Sequence, residues 1–592
     1  MNYLRSVSHT TVVMLSTLAV ASLSLCRAGL ALSADAPQVQ ARPAIESCRA
    51  PFQIAFTPDG ERAVVTEFDE GAVAIVDRTT GKILQHVSTG GQQPTGVAVT
   101  ASGGLAVVTN SLSGSVAFID LKTFKTDTLA LRGMPWDVVL SSDGRRGYVS
   151  LSQLDEVAVI DVASRKIVAM IPTGRRPRAL AITPDGRTLV AANMTAGSVS
   201  FIDTATLTET AQGRTPAVNL RGVAVFPNGR QVFAVGQRAQ NERPTETAIG
   251  IWSNQAFLQV PDGPPNGVQN LWLDLMGTDV ADPDSVVLSP DRSRAFITCS
   301  GGNSVNVVPI RGNGDTQTVR NVGAGPRGLT FTPDFKELWV ADQLGNDLAV
   351  LDPNTLKVVR RIDLGPTKRH DVDLLGRYLF NSASIAKGGQ FSCNSCHPDG
   401  GMDGISWKFV HVHDALGKEI DRNVKGLRGH IATCGPFRWS GHDATLDQFI
   451  AEEIPGLLQG PKPTPREVKA LAAYIESLPL PPNPYRSQDG SFTAAAMRGR
   501  ALFEGKAECA TCHSGQRAGG TRKAWIGTTP AGVELQVPRL DGVYDTDPYL
   551  HDGKARTLEE VFSQNNVKKL HGKAHDLSQT ETNDLIRYVK EL

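Results

Sequence analysis

A turn element recurs seven times in the first part of the chain, and it constrains the fold more than any other feature. It reads TPDG at Thr57, TASG at Thr100, SSDG at Ser141, TPDG at Thr183, FPNG at Phe226, SPDR at Ser289 and TPDF at Thr332. Successive copies lie 43, 41, 42, 43, 63 and 43 residues apart. Most turns precede two strand-like runs, such as RAVVTEFDEGAVAIVD and LAVVTNSLSGSVAFID, and the second run ends on Asp77, Asp120, Asp161, Asp203 and Asp352. Short alternating strands, Gly/Asp/Asn turns and a period near 42 are what a four-stranded propeller blade produces. Seven copies predict seven blades closed into a ring, which hides the sheet edges. The repeated aspartates read as turn residues satisfying local backbone donors. The long fifth spacing predicts an insertion around NQAFLQVPDGPPNGVQNLWLDL, a loop on one face.

After Leu364-Gly365-Pro366 the pattern changes to helices and loops. Of 12 histidines only His9 and His86 precede His370, so a metal site built from the repeat region's own side chains is not expected. A second repeat appears here. GRYLF (376–380) leads to QFSCNSCHPDG, and GRALF (499–503) leads to ECATCHSG. Downstream, VKGLRGHIATCGPFRWSGHDATLDQF parallels VPRLDGVYDTDPYLHDGKARTLEEVF, and each copy closes with an amphipathic helix, EVKALAAYIESL or ETNDLIRYVKEL. The expected fold is multidomain: an N-terminal seven-bladed β-propeller over 45–366, then two all-α cytochrome c-like haem domains over 370–480 and 493–592. A proline-rich linker, 481–492, joins the two.

Two CxxCH motifs carry the chemistry. Zinc needs four ligands and would leave the adjoining histidine unexplained twice. A thioredoxin-like pair expects a βαβ setting, which is absent. Covalent haem accounts for every part, since each cysteine adds to a vinyl group and the next residue turns its imidazole onto the iron. The expected cofactors are two covalently bound haem c groups. One sits on Cys393, Cys396 and His397, the other on Cys509, Cys512 and His513, with His397 and His513 as proximal ligands.

The rest of the chain sets the compartment. Arg5 and the apolar run TVVMLSTLAVASLSL, followed by ALSADAP, read as a signal peptide over 1–33, so the protein is expected in the periplasm. Leu25 before Cys26 fits lipoprotein processing poorly, and no later stretch could span a bilayer. Lys+Arg and Asp+Glu are 60 each, which gives no global grip on nucleic acid or anionic membrane. Outside the CxxCH motifs and the signal, Cys48, Cys299 and Cys434 remain. Two of them could pair, and Cys299 in AFITCS reads as a small buried residue.

The blades resemble the YVTN-type propeller repeat. Residues from about 370 to 592 resemble the di-haem cytochrome c peroxidase family and its MauG-like relatives, through both CxxCH motifs, FRWSGHDATL and PYLHDGKARTLEEVF. The resemblance implies a peroxidatic haem at Cys393, Cys396 and His397, and an electron-transfer haem at Cys509, Cys512 and His513. It implies that Trp439 lies between the haems as an electron relay. It also implies a carboxylate over the peroxidatic iron as general acid/base, with Glu453 preferred and Glu452 the alternative. It leaves room for an interdomain Ca2+ that no residue pattern marks.

The sixth ligands depart from the family, whose electron-transfer haem usually takes a methionine soon after TLEEAV. Asn565 stands at that place, no methionine follows Met497, and LHGKAH offers His571 as the favoured ligand, with His575 nearby. VHVHD offers His411 and His413, and His413, 16 residues after His397, is the candidate displaceable ligand of the first haem. The leading function is reduction of H2O2 at one haem with electrons relayed through the other. The partner is a small redox donor of cytochrome or blue-copper type. A second reading oxidises a protein or organic substrate docked on the propeller, and a third is a non-enzymatic electron carrier or docking protein. A haem-d1 nitrite reductase ranks last, because its propeller would need histidines.

Overall fold

The structure, a computed structural model, describes residues 48–592 apart from 227, 230, 243–249, 260–268, 274–279, 311–314, 368–372, 409–415, 417–419, 516 and 520. Seven four-stranded antiparallel sheets follow one another over 51–88, 94–130, 135–172, 177–214, 218–272, 283–319 and 326–363. The seven-bladed propeller expected from the repeat is therefore present. Each sheet uses four consecutive strands, so the ring closes without strand exchange. Side chains join blade 7 to blade 1 instead. Phe56 and Trp339 meet edge to face at 5.1 Å, and Arg78 pairs with Asp334 at 2.9 Å and Glu337 at 3.2 Å.

Local chemistry accounts for the blade form. Six first strands begin on proline, a position where the missing N–H costs no ladder bond. Second and third strands are buried except at one end, as in Arg62–Glu67 and Ala72–Asp77, because neighbouring blades cover both faces. The strand-end aspartates act as read. Asp77, Asp120, Asp161, Asp203 and Asp352 each accept the backbone N–H three residues on. The first strands of all seven blades line a central cavity of ≈ 210 Å³.

The fifth spacing differs from expectation. The stretch read as an insertion loop contains most of the blade's third strand, Trp252–Gln259, and its fourth, Gln269–Trp272. The extra length is distributed between strands, and the second and third strands extend to eight residues each.

Beyond residue 372 the described residues carry helices α1 (Leu374–Asn381), α2 (Cys393–Cys396), α3 (Leu446–Gly456), α4 (Pro465–Ser477), α5 (Ala494–Glu504), α6 (Leu558–Phe562) and α7 (Gln579–Glu591). The region is not purely α. Two short ribbons pair Ser406–Trp407 with Arg422–Asn423 and Lys523–Ala524 with Leu535–Gln536. The duplication is visible in three dimensions. A Cβ on Gly376 of α1 would lie 1.9 Å from Ala470 O of α4, and one on Gly499 of α5 would lie 1.9 Å from Asp584 O of α7. Both crossings need glycine so that backbones can touch.

The helical part is built onto the propeller. Ile251 and Trp252 of blade 5 share one apolar core with Leu379, Phe380, Phe391, Trp407 and Leu471. Asp399, just after the first CxxCH, pairs with Arg178 and Arg327 of blades 4 and 7. In the second half, Asp547 pairs at 2.8 Å with Arg175, on the connection from blade 3 to blade 4.

Candidate haem sites and the seam between them

The first CxxCH begins on α2, capped by Ser392, whose Oγ accepts the Asn394 N–H while Ser395 Oγ accepts the Ser392 N–H. Both serine hydroxyls donate to Asp282 of blade 6, at 2.6 and 2.7 Å. Asn219 and Arg221 of blade 5 donate to the carbonyls of Ser395 and Asn394. Trp252 Nε1 lies 3.4 Å from Cys396 Sγ, and its ring packs edge to face on Trp407 at 5.0 Å. Trp407 Nε1 donates in turn to Asp403, whose carboxyl burial pushes up to about 8. The propeller thus forms a wall of this site.

The two motifs share one backbone hydrogen bond. His397 N donates to Cys393 O, and His513 N donates to Cys509 O, each at 2.9 Å. Among the described residues none of the motif cysteines is in a disulfide, and Cys48, Cys299 and Cys434 form no disulfide with one another. Cys48 Sγ instead donates to Gln343 O, and Cys299 Sγ accepts from Asn306.

The residues present fit haem. Burial lowers the His397 pKa to about 4, against backbone contacts from Gly401 and Lys425 that raise it, so the imidazole is neutral as a metal ligand must be. His513 Nδ1 lies 3.2 Å from Ala518 O, a contact that leaves Nε2 as the coordinating atom. The His571 ring faces His513 with centroids 6.3 Å apart. Two metal–imidazole bonds of about 2 Å plus the two ring radii span roughly that separation. Burial, with His513 second, lowers the His571 pKa to about 4. Asn565 turns its amide to Glu560 O, and His575 stands 3.4 Å from Asp576. His411 and His413 lie outside the described residues, as does the predicted signal peptide.

Trp439 occupies the seam between the two halves. Its Nε1 donates to Asn423 O at 2.7 Å, its carbonyl accepts from Gln536 N, and His551 stands at 6.3 Å edge to face. Lys425 Nζ lies 4.3 Å over its ring and donates to Arg438 O and Gln536 Oε1. Burial lowers the Lys425 pKa to about 7.

The two candidate acids on α3 face different ways. Glu453 accepts from Arg438 Nη1 at 2.8 Å, and its charge contributes to raising the Cys393 and Cys396 thiols, so it lies on the side of the first motif. Arg438 also holds the buried Asp443. Glu452 turns outward to Gln448 and stands 3.7 Å from His442.

Sequence reasoning missed the propeller's share of the first site: Asn219, Arg221, Trp252 and Asp282. No local signal marks them, since each contacts a segment more than a hundred residues away. Lys425 carried no mark either, because a lysine's burial is invisible without the fold.

Residues 496–592 match the cytochrome c family, and residues 100–240 match the cytochrome D1 heme domain family. A cytochrome c domain is therefore present at the C-terminus, and haem is its cofactor. The stretch 100–240 contains no histidine, so its blades offer no imidazole to an iron. Hydrazine synthase subunit gamma of Kuenenia stuttgartiensis is 28% identical over 277 residues, covering 37% of this chain and 76% of that protein. Cytochrome c551 peroxidase of Nitrosomonas europaea is 24% identical over 273 residues, covering 38% and 80%. Methylamine utilization protein MauG of Methylorubrum extorquens is 22% identical over 280 residues, covering 37% and 77%.

Proposed function

We propose that this chain is an exported, periplasmic di-haem c-type oxidoreductase that reduces H2O2 at the His397 site with electrons entering through the His513 site. The observation that carries the assignment is the facing pair His513 and His571 beside a cytochrome c motif. His513 and His571 together would hold the iron of a haem suited to electron transfer, which assigns the peroxide chemistry to the other site. The similarity to a cytochrome c peroxidase and to MauG supports the same reading.

When bound, haem supplies one-electron chemistry and the capacity to cleave a peroxide bond. The protein's own residues do the rest. Blade 5 and blade 6 hold the first CxxCH rigidly through Asn219, Arg221 and Asp282. Glu453, held by Arg438 at 2.8 Å, accepts a proton from the nearer peroxide oxygen and returns it to the leaving one, so that two electrons and two protons give two waters. Trp439 bridges the two halves, and a small redox protein delivers the electrons. An interdomain Ca2+ belongs to the same proposal, because Asn423 Oδ1 is buried at this seam without a donor.

A second reading, oxidation of a protein or organic substrate docked on the propeller, is favoured by one contact. Trp252 links blade 5 to Cys396 and Trp407 and so connects the propeller to the first site. Titrating H2O2 into the half-reduced protein, followed optically and by electron paramagnetic resonance, tests the assignment. One high-spin centre that consumes peroxide supports it, and two permanently low-spin centres that ignore H2O2 reject it.

A further inference from the structure

The blades repeat one unit, so the residues at the end of the second strand and the start of the third can be compared from blade to blade. In blades 2 and 4 an asparagine ends the second strand and a serine opens the third. The pair is hydrogen-bonded across the hairpin: Asn110 Nδ2 donates to Ser115 Oγ at 3.1 Å, and Asn193 Nδ2 to Ser198 Oγ at 3.0 Å. Blade 7 places Asp342 and Asp347 at these positions as direct cross-strand partners. Asp363 is the partner of Asp347 on the fourth strand.

Two ionised carboxylates cannot donate to one another, and like charges directly opposite across strands are destabilising. Asp342 is fully buried, and its carboxylate oxygens and Asp347 Oδ1 meet no N–H or hydroxyl donor, so the two acids face only each other there. Burial and the neighbouring Asp347 hold the Asp342 carboxyl well above the usual carboxylate range. Arg361 donates to Asp347 at 2.6 Å and stands 3.7 Å from Asp342. With both carboxyls ionised, Asp342 and Asp347 against the one guanidinium leave the pair net negative, a charge that a bound cation would offset. The site is also cradled by glycine. At Gly323, with φ of 125°, a Cβ would lie 2.2 Å from the Asp342 carboxyl.

We propose that Asp342 and Asp347 form a cation site in blade 7 that takes Ca2+. The donors are all oxygen, with no histidine or thiolate, which favours a hard cation over a transition metal. The hairpin that carries the site is where the ring's closing seam meets the exit to the haem domains. Cys48 Sγ donates to Gln343 O at 2.9 Å, Arg49 N to Asn346 Oδ1 at 2.7 Å, and Asn346 Nδ2 to Gly365 O at 3.1 Å. A cation there fixes the closing seam in a ring that has no exchanged strand.

The test uses the full-length, haem-loaded protein with Ca2+ as the probe, after removal of bound metal by a chelator. The comparison protein is Asp342→Asn/Asp347→Ser, which rebuilds the pair that blades 2 and 4 already fold with. By equilibrium dialysis, the unaltered protein binds one more Ca2+ per chain than the double variant, so any cation at the interdomain seam cancels. Ca2+ raises the Tm of the unaltered protein by roughly 2–5 °C more than that of the variant. Equal stoichiometry in the two proteins overturns the proposal. So does a Tm that ignores Ca2+ but rises as the pH is lowered, the signature of a proton shared by the two acids. If the double variant does not accumulate, Asp347→Asn, at the less buried of the two, supports the same comparison.

Discussion

The indole nitrogen of Trp252, on the fifth propeller blade, lies 3.4 Å from the sulfur of Cys396, on the first CxxCH segment. Trp252 is fully buried, and Trp407 of the helical half packs against its ring. The propeller is therefore part of the site's wall and cannot be removed without opening it.

Truncation of that indole should unseat the contact. Trp252→Ala is expected to lower stability by about 3–5 kcal/mol, the usual cost of a large buried aromatic. Trp252→Phe, which keeps most of the volume and loses the N–H, should cost about 1 kcal/mol. Urea denaturation followed by circular dichroism measures both, and equal costs would show that packing and hydrogen bonding had been wrongly apportioned.

Replacing His571 tests the second site. His571→Ala should convert one haem from low to high spin in the optical and resonance spectra. His571→Met should keep it low-spin and raise its midpoint potential by on the order of 0.1 V, since thioether ligation favours the reduced iron. Unchanged spectra in both variants would remove His571 from the iron.

The two glycine crossings should respond alike. A methyl group at Gly376 or Gly499 would meet backbone oxygen at 1.9 Å, so the helices must part. Gly376→Ala and Gly499→Ala are each expected to cost about 1–3 kcal/mol or more, read as a lowered denaturation midpoint in urea.

Asp137 should confer a pH dependence on the propeller. It lines the central cavity, accepts N–H bonds from Val138 at 2.8 Å and Leu180 at 2.9 Å, and is raised by burial to about 6. Between about pH 4 and 6 the folded state then holds the proton that the unfolded chain has released. Stability should fall as pH rises through that window, by at most about 3 kcal/mol. The stability difference between the unaltered protein and Asp137→Asn isolates the effect, and a difference flat from pH 4 to 6 would refute it.

Much of the fold was legible because each blade encodes its own hairpins. The TPDG-type turns and the strand-end aspartates act on donors within a few residues, so a local period sufficed to count seven blades. The CxxCH motifs were legible for the same reason, since their two cysteines and the histidine fall within five residues. Glu452 and Glu453 were not separable. Adjacent positions on a helix point about 100° apart, and only packing showed that Glu453 meets Arg438 while Glu452 meets His442.

From the sequence alone came the ring of seven, the duplicated helical region and the residues able to anchor haem, because these depend on short-range periodicity and stereochemistry. The tertiary structure alone decided which propeller residues wall the first site, that His571 faces His513, and that Trp439 spans the seam under Lys425. Those relations join segments far apart in the chain, and they are set by the packing of whole sheets and helices, which no local pattern encodes.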